Sequence, residues 1–129
     1  MDWELGVWGG PAPRRAAGRR LACVGVQHDA DRFAAARAKL PEGFPSALAT
    51  MWTWITESRT EADRMLEELA SRLRREPDEL RGQVCVGSAD HCTELLSRYR
   101  DAGCERVYFW PLGDEPRQIE LIAAAARPL

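Results

Sequence analysis

Short apolar runs and helix-forming segments take turns along this chain, and that alternation restricts the fold more than any other feature. Glu4 to Trp8 is apolar and stops at Gly9-Gly10-Pro11; Ala12 to Arg20 then has helix-forming composition, with proline near its start where a missing N–H is tolerated. Leu21 to Gln27 is a second apolar run, bounded by His28-Asp29, and Asp29 is placed to cap a helix reaching Lys39, with Phe33, Ala34, Ala36 and Leu40 as its apolar residues. After a loop at Pro41 to Pro45, the stretch from Ala47 to Thr56 is β-branched and aromatic, and period-two alternation puts Trp52 and Trp54 on one face. From Thr60 a helix is expected, because Ala62, Met65, Leu66, Leu69, Ala70 and Leu73 fall on a single stripe at helical spacing. Pro77 starts a short turn or helix, and Val84-Cys85-Val86 is a brief extended piece. Ser88 caps a helix with Cys92, Leu95, Leu96 and Tyr99 inward that ends at Gly103. Cys104 to Trp110 is the last apolar run, and a helix from about Pro116 to Ala126 follows it.

Strands and helices alternating at this spacing imply right-handed crossovers and a parallel sheet, so the expected class is α/β. In such sheets ligands collect where strands end and helices begin, since helix N-termini offer unpaired N–H groups and partial positive charge. Three loops hold that position: Gly9 to Pro13, Gln27 to Asp29 and Pro111 to Pro116.

Composition removes several alternatives. With 129 residues and 45% hydrophobic positions the chain is one domain with a real core, covering 1–129. A net charge of −2, with arginines scattered among acids, leaves no basic stripe for a phosphate backbone, so no nucleic-acid partner is expected. No run approaches the ~20 apolar residues that span a bilayer, and the first residues do not read as a secretion signal; a cytoplasmic, membrane-free protein is the expectation. Cys23, Cys85, Cys92 and Cys104 form no C-x-x-C and sit within apolar runs or on an apolar helix face, which reads as buried free thiols rather than disulfides or a metal site. No His/Cys/carboxylate cluster has ligand spacing, and neither Ser88 nor any thiol has an identifiable base and orienting acid for hydrolase chemistry.

The run VGSADHCTELLSRYRDAGCERVYFWPLGD, from Val86 to Asp114, resembles the C-terminal signature of the bacterial luciferase-like family of flavin- or deazaflavin-dependent oxidoreductases. VWGGPAPRRAAGRR and MWTWITESRTEADRML resemble that family's fifth strand with its Gly-Gly turn, and its seventh strand with the helix after it. The resemblance covers nearly the whole chain and implies strands five to eight of an eight-stranded TIM barrel. It implies a monooxygenase-like oxidoreductase using flavin mononucleotide (FMN) or its deazaflavin analogue, coenzyme F-420, on a small-molecule substrate; the alternative is a non-catalytic remnant or a dimeric assembly or binding subunit of the same fold. At the sixth strand, relatives read alanine-Asp-Gly where this chain has Ala22-Cys23-Val24-Gly25, so an acidic contact is lost.

By that resemblance Gly9 and Gly10 let backbone approach the cofactor's phosphate-bearing tail, with Arg14 adding charge; by spacing alone, Gly-Gly-Pro also suits a tight strand-to-helix turn and Arg14 a solvated face. Trp110 and Asp114 then stand on the substrate rim. Their structural alternatives are packing of Trp110 under the last helix and capping of that helix by Asp114. His28, just past the second strand, is a substrate-contacting or proton-carrying candidate, or simply a polar loop residue. His91 is expected to be exposed and silent. No catalytic residue is assigned.

Four parallel strands cannot close a barrel, so both outer edges keep unpaired backbone groups. A homodimer through the open edges is the expected remedy, and a half-barrel left open would expose an apolar face carrying Met51, Trp52, Trp54, Val107 and Phe109.

Overall fold

The computed structural model describes residues 6–7, 22–26, 29–39, 42–43 and 46–129. Along the chain the elements are β1 (Gly6–Val7), β2 (Ala22–Val26), α1 (Ala30–Ala38), β3 (Ser46–Ile55), α2 (Arg59–Leu73), α3 (Pro77–Arg81), β4 (Cys85–Gly87), α4 (Ala89–Asp101), β5 (Arg106–Pro111) and α5 (Glu115–Ala126). Every strand pairing is parallel: β1 with β2, β2 with β3, and β3 with both β4 and β5. The α/β class and the parallel repeat follow from the alternation in the sequence, because parallel neighbours need a crossover between them.

β3 organises the sheet. It pairs with β2 over Ser46 to Ala49, with β4 over Thr53 to Ile55, and with β5 over most of its length. A strand has two edges, so β2 and β4 share one and β5 holds the other. The change of partner coincides with an irregularity: the β3–β5 register shifts between Leu48 and Met51, and Thr50 takes a left-handed φ of 60°. One extra residue reverses the side-chain alternation. Leu48, Met51 and Ile55 therefore share a face although one position is even and two are odd.

That face is the main core. Leu48, Met51, Ile55 and Cys85 pack against Phe33 of α1, the Cys92, Leu95, Leu96 and Tyr99 stripe of α4, and Ala125 of α5. Phe33 and Tyr99 meet edge to face at 6.0 Å. On the opposite face Trp52, Trp54, Val84 and Val86 pack against Leu66, Leu69 and Ala70 of α2 and Leu80 of α3. Helices thus lie on both sides. The α2 stripe read from the sequence buries Ala62, Leu66, Leu69 and Ala70, but on the far side of the sheet from α4 and α5.

This two-sided arrangement corrects the expected exposed face. Met51 is 1% exposed and lies under the helices, with Val107 and Phe109 packed against the same core. Among the described residues the large aromatics left in solvent are Tyr108 and Trp110, 43% and 54% exposed, which alternate with Val107 and Phe109 along β5. Period two puts the two sets on opposite faces.

Local signals set the helix ends. Asp29 caps α1 through Oδ1, which accepts from Arg32 N at 2.7 Å. α2 begins one residue before the expected Thr60, because Ser58 is the cap and its hydroxyl accepts from Glu61 N. Ser88 caps α4 by accepting from His91 N at 3.1 Å. After α4, Gly103 takes φ 94° and its carbonyl accepts from the Ser46 hydroxyl, tying the α4–β5 turn to the start of β3. Cys85 and Cys92 are buried free thiols and Cys104 is a half-buried one; the Cys23 side chain lies outside the described residues.

Candidate functional site

Because all strands point the same way, their C-terminal ends fall on one rim, each followed by the N-terminus of a helix. Among the described residues the rim consists of Ile55 to Ser58 before α2, Gly87 and Ser88 before α4, and Pro111 to Asp114 before α5. At two of the three helices a serine hydroxyl satisfies a first-turn N–H. At α4 a carboxylate adds to it, Glu57 Oε1 accepting from Ala89 N at 3.1 Å.

The third helix start differs. Asp114 sits at the cap position of α5 with φ 42° and ψ 53°, and its side chain makes no capping hydrogen bond. A capping side chain needs extended backbone at this position; in the left-handed conformation the carboxylate cannot reach back to the first-turn N–H groups. Capping by Asp114 is therefore not what the turn provides. Its carboxylate stands exposed on the rim.

Trp110 stands one turn below, on the face opposite the main core. It pairs in register with Trp52, and the two indoles meet at 5.9 Å with an interplanar angle of 65°. It does not pack under the last helix, which covers the other face. Trp54 Nε1 donates to Glu61 Oε1 at 2.7 Å, so the carboxylate at the capping-box position of α2 is used to orient an indole. Gly113 passes over Trp54: a Cβ there would lie 3.5 Å from Cζ3, in ordinary contact. Among the described residues Trp52 Nε1 is buried with no hydrogen-bond partner. A buried unsatisfied donor costs about 1–3 kcal/mol.

A cavity of about 280 Å³ opens between the ends of β3 and β4, lined by Thr56, Arg59, Arg81, Gly87 and His91 among others. His91 is not exposed and idle as expected. It is half-buried, its Nε2 lies 3.2 Å from the Val84 carbonyl, and its ring lies against Gly87, whose φ of 152° suits glycine. The bond to a carbonyl makes Nε2 the protonated nitrogen.

Of the residues singled out from the sequence, Trp110 and Asp114 share the rim end of β5, four positions apart. Gly9, Gly10, Arg14 and His28 lie outside the described residues. Sequence reasoning missed Trp52 as a site residue, although its period-two relation to Trp54 was visible; what the sequence does not show is its register with Trp110. Among the described residues no His/Cys/Asp/Glu group could hold a metal ion, and no helix is long and apolar enough to cross a membrane.

The all-parallel α/β repeat, with its strand C-termini on one rim, matches half of a TIM barrel in fold. Three solved structures share this arrangement. The F420-dependent secondary alcohol dehydrogenase, in complex with an F420-acetone adduct, superposes on 98% of this chain with a TM-score of 0.70 at 13% identity, using 50% of its own length. The oxygenating constituent of 3,6-diketocamphane monooxygenase from the CAM plasmid of Pseudomonas putida, a type II Baeyer-Villiger monooxygenase in complex with FMN, matches 97% of this chain and 48% of its own at a TM-score of 0.63 and 20% identity. Apo-MsnO8 matches 95% of this chain and 50% of its own, with a TM-score of 0.61 and 16% identity. The chain spans about half the length of these structures. At such identities the likeness establishes the fold. No family model and no curated protein matches the sequence.

Proposed function

We propose that this chain forms one wall of the cup of a flavin- or deazaflavin-dependent oxidoreductase, monooxygenase-like in kind and acting on a small-molecule substrate. The observation that carries the reading is the superposition of almost the whole chain on half of an F420-dependent dehydrogenase and half of an FMN-bound monooxygenase. The residues present fit the flat part of such a cofactor. Trp110 offers an exposed aromatic plane at the C-terminal rim, held edge to face against Trp52. The anionic tail belongs to Gly9, Gly10 and Arg14.

When bound, the flavin or deazaflavin supplies the hydride or oxygen chemistry, and the protein supplies binding and orientation. Trp110 holds a planar ring by its face and keeps water from that side. Asp114, free of a capping duty, accepts a hydrogen bond from a substrate hydroxyl at the rim. His28 is the second substrate-side group.

A second reading rests on the half-length match: the chain spans about half of these structures, which also suits a non-catalytic or assembly subunit of the same fold. Equilibrium dialysis of the purified chain against FMN and against the deazaflavin separates the two. Saturable binding with a red-shifted cofactor absorbance supports the oxidoreductase wall, and absence of binding at millimolar cofactor refutes it.

A further inference from the structure

We propose that Cys85 and Cys92 are a redox pair, closing to an intramolecular disulfide when the chain folds in the presence of a disulfide oxidant and so pinning β4 to α4 beneath the rim. Cys85 opens β4, and alternation along this strand turns it to the main core while Val84 and Val86 point to the opposite face. The turn at Gly87 and the cap at Ser88 fold α4 back over β4, which brings Cys92, one turn into the helix, among the same core residues. There the Cys85 thiol donates a hydrogen bond to Cys92, and both are buried and free. Cys104 is engaged elsewhere, its thiol donating to the Arg106 carbonyl at 3.1 Å.

The two sulfurs are already neighbours, and a disulfide is as apolar as the thiol pair it replaces, so the core can hold either form. The step is thiol–disulfide exchange. One cysteine thiolate attacks a small disulfide such as oxidised glutathione and expels a glutathione thiolate; the second cysteine attacks the mixed disulfide and expels the other. Two protein thiols and one oxidant molecule thus give the protein disulfide and two reduced glutathiones, which carry away both protons. In the folded chain the pair is shut in the core, with Cys85 held protonated by its bond to Cys92 and by burial. In the unfolded chain both thiols are accessible and ionise near about pH 8.5. The redox state is therefore set while the chain folds and is then sealed beneath α1, α4 and α5. This inference stands apart from the flavin reading and shares no residue with it.

The test is to unfold the reduced chain in urea and refold it at pH 8 in a mixture of oxidised and reduced glutathione. The product should weigh about 2 Da less than the reduced chain, and a digest made after blocking free thiols should join the peptides of Cys85 and Cys92. The linked form should melt roughly 5 °C higher, a modest gain because the closed loop is short. Reduced protein kept folded in the same mixture should oxidise at least about tenfold more slowly. Cys92→Ala should abolish the lighter species and Cys104→Ser should leave it unchanged. A refolded parent chain that stays reduced, that carries only glutathione adducts, or that is joined through Cys23 or Cys104 overturns the inference. So does a Cys85–Cys92 form that melts below the reduced protein, since the fold then does not accommodate the bond, and so does equally fast oxidation of the folded chain.

Discussion

The side-chain amide of Gln118 makes both backbone hydrogen bonds of Ile55: Oε1 accepts from Ile55 N at 2.7 Å and Nε2 donates to Ile55 O at 3.1 Å. β5 ends at Pro111, paired with Thr53, and the chain then turns into α5. Ile55 is thus left on β3 with no strand beside it on that edge. Gln118, 2% exposed on the first turns of α5, takes the place of the missing strand residue and fixes the last helix to the sheet.

Gln118→Ala should therefore be among the more damaging single changes in α5. It leaves an N–H and a C=O buried without partners, and at about 1–3 kcal/mol for each, the loss should be roughly 2–6 kcal/mol in urea denaturation. Glu120→Ala, on the solvent side of the same helix, should change stability by less than about 0.5 kcal/mol. Equal effects of the two would mean that the Gln118 bridge does not form.

Gly87 should not tolerate a side chain. Its φ of 152° is rare for L-residues, and an added Cβ would approach Cδ2 of His91 to 3.1 Å. Gly87→Ala is expected to cost about 1–3 kcal/mol and to displace the ring from the Val84 carbonyl. The His91 Nε2–H proton resonance gives a direct reading: protected in the parent protein, fast-exchanging in the variant.

Stability should be flat through neutrality and fall in alkali. A hydrogen bond from the Cys85 thiol to Cys92, followed by burial and the charge of Cys92, holds the Cys85 thiol well above its ordinary value. Burial first, then the charges of Asp29, Cys85 and Cys104, push the Tyr99 phenol up as well. Both groups stay neutral in the fold, while in the unfolded chain a thiol and a phenol ionise near about pH 8.5 and 10. The unfolded state releases protons first, so the stabilisation is complete below about pH 8.5 and is lost progressively as pH rises beyond it. Denaturation midpoints at pH 7, 9 and 10.5 should decline in that order. Tyr99→Phe should start from a lower stability and decline less steeply above pH 10.

Removing the exposed indole should weaken cofactor binding without unfolding the protein. Trp110→Ala deletes a side chain that is more than half in solvent, and an aromatic contact worth about 0.5–1.5 kcal/mol corresponds to a loss of roughly 2- to 13-fold in affinity. Equilibrium dialysis with FMN and deazaflavin reads the change, and unaltered affinity would place the ring elsewhere.

Over the described residues the sequence by itself determined the order of elements, their types and the parallel class; the expected helix from Ala12 to Arg20 lies outside them. The apolar stripe from Ala62 to Leu73, the serine cap at Ser88 and the two indoles two residues apart are properties of short segments, legible because a helix or strand repeats its own period. It also placed Trp110 and Asp114 together at a strand end. The tertiary structure alone decided the side of the sheet that each segment covers, because the extra residue at Thr50 reverses the alternation of β3 and no periodicity survives that step. It alone paired Trp110 with Trp52, and it alone set Gln118 against Ile55, two residues 63 positions apart. Such contacts form between surfaces that meet only after the chain has folded, where a backbone group left without its strand takes whichever side chain the packing brings within reach.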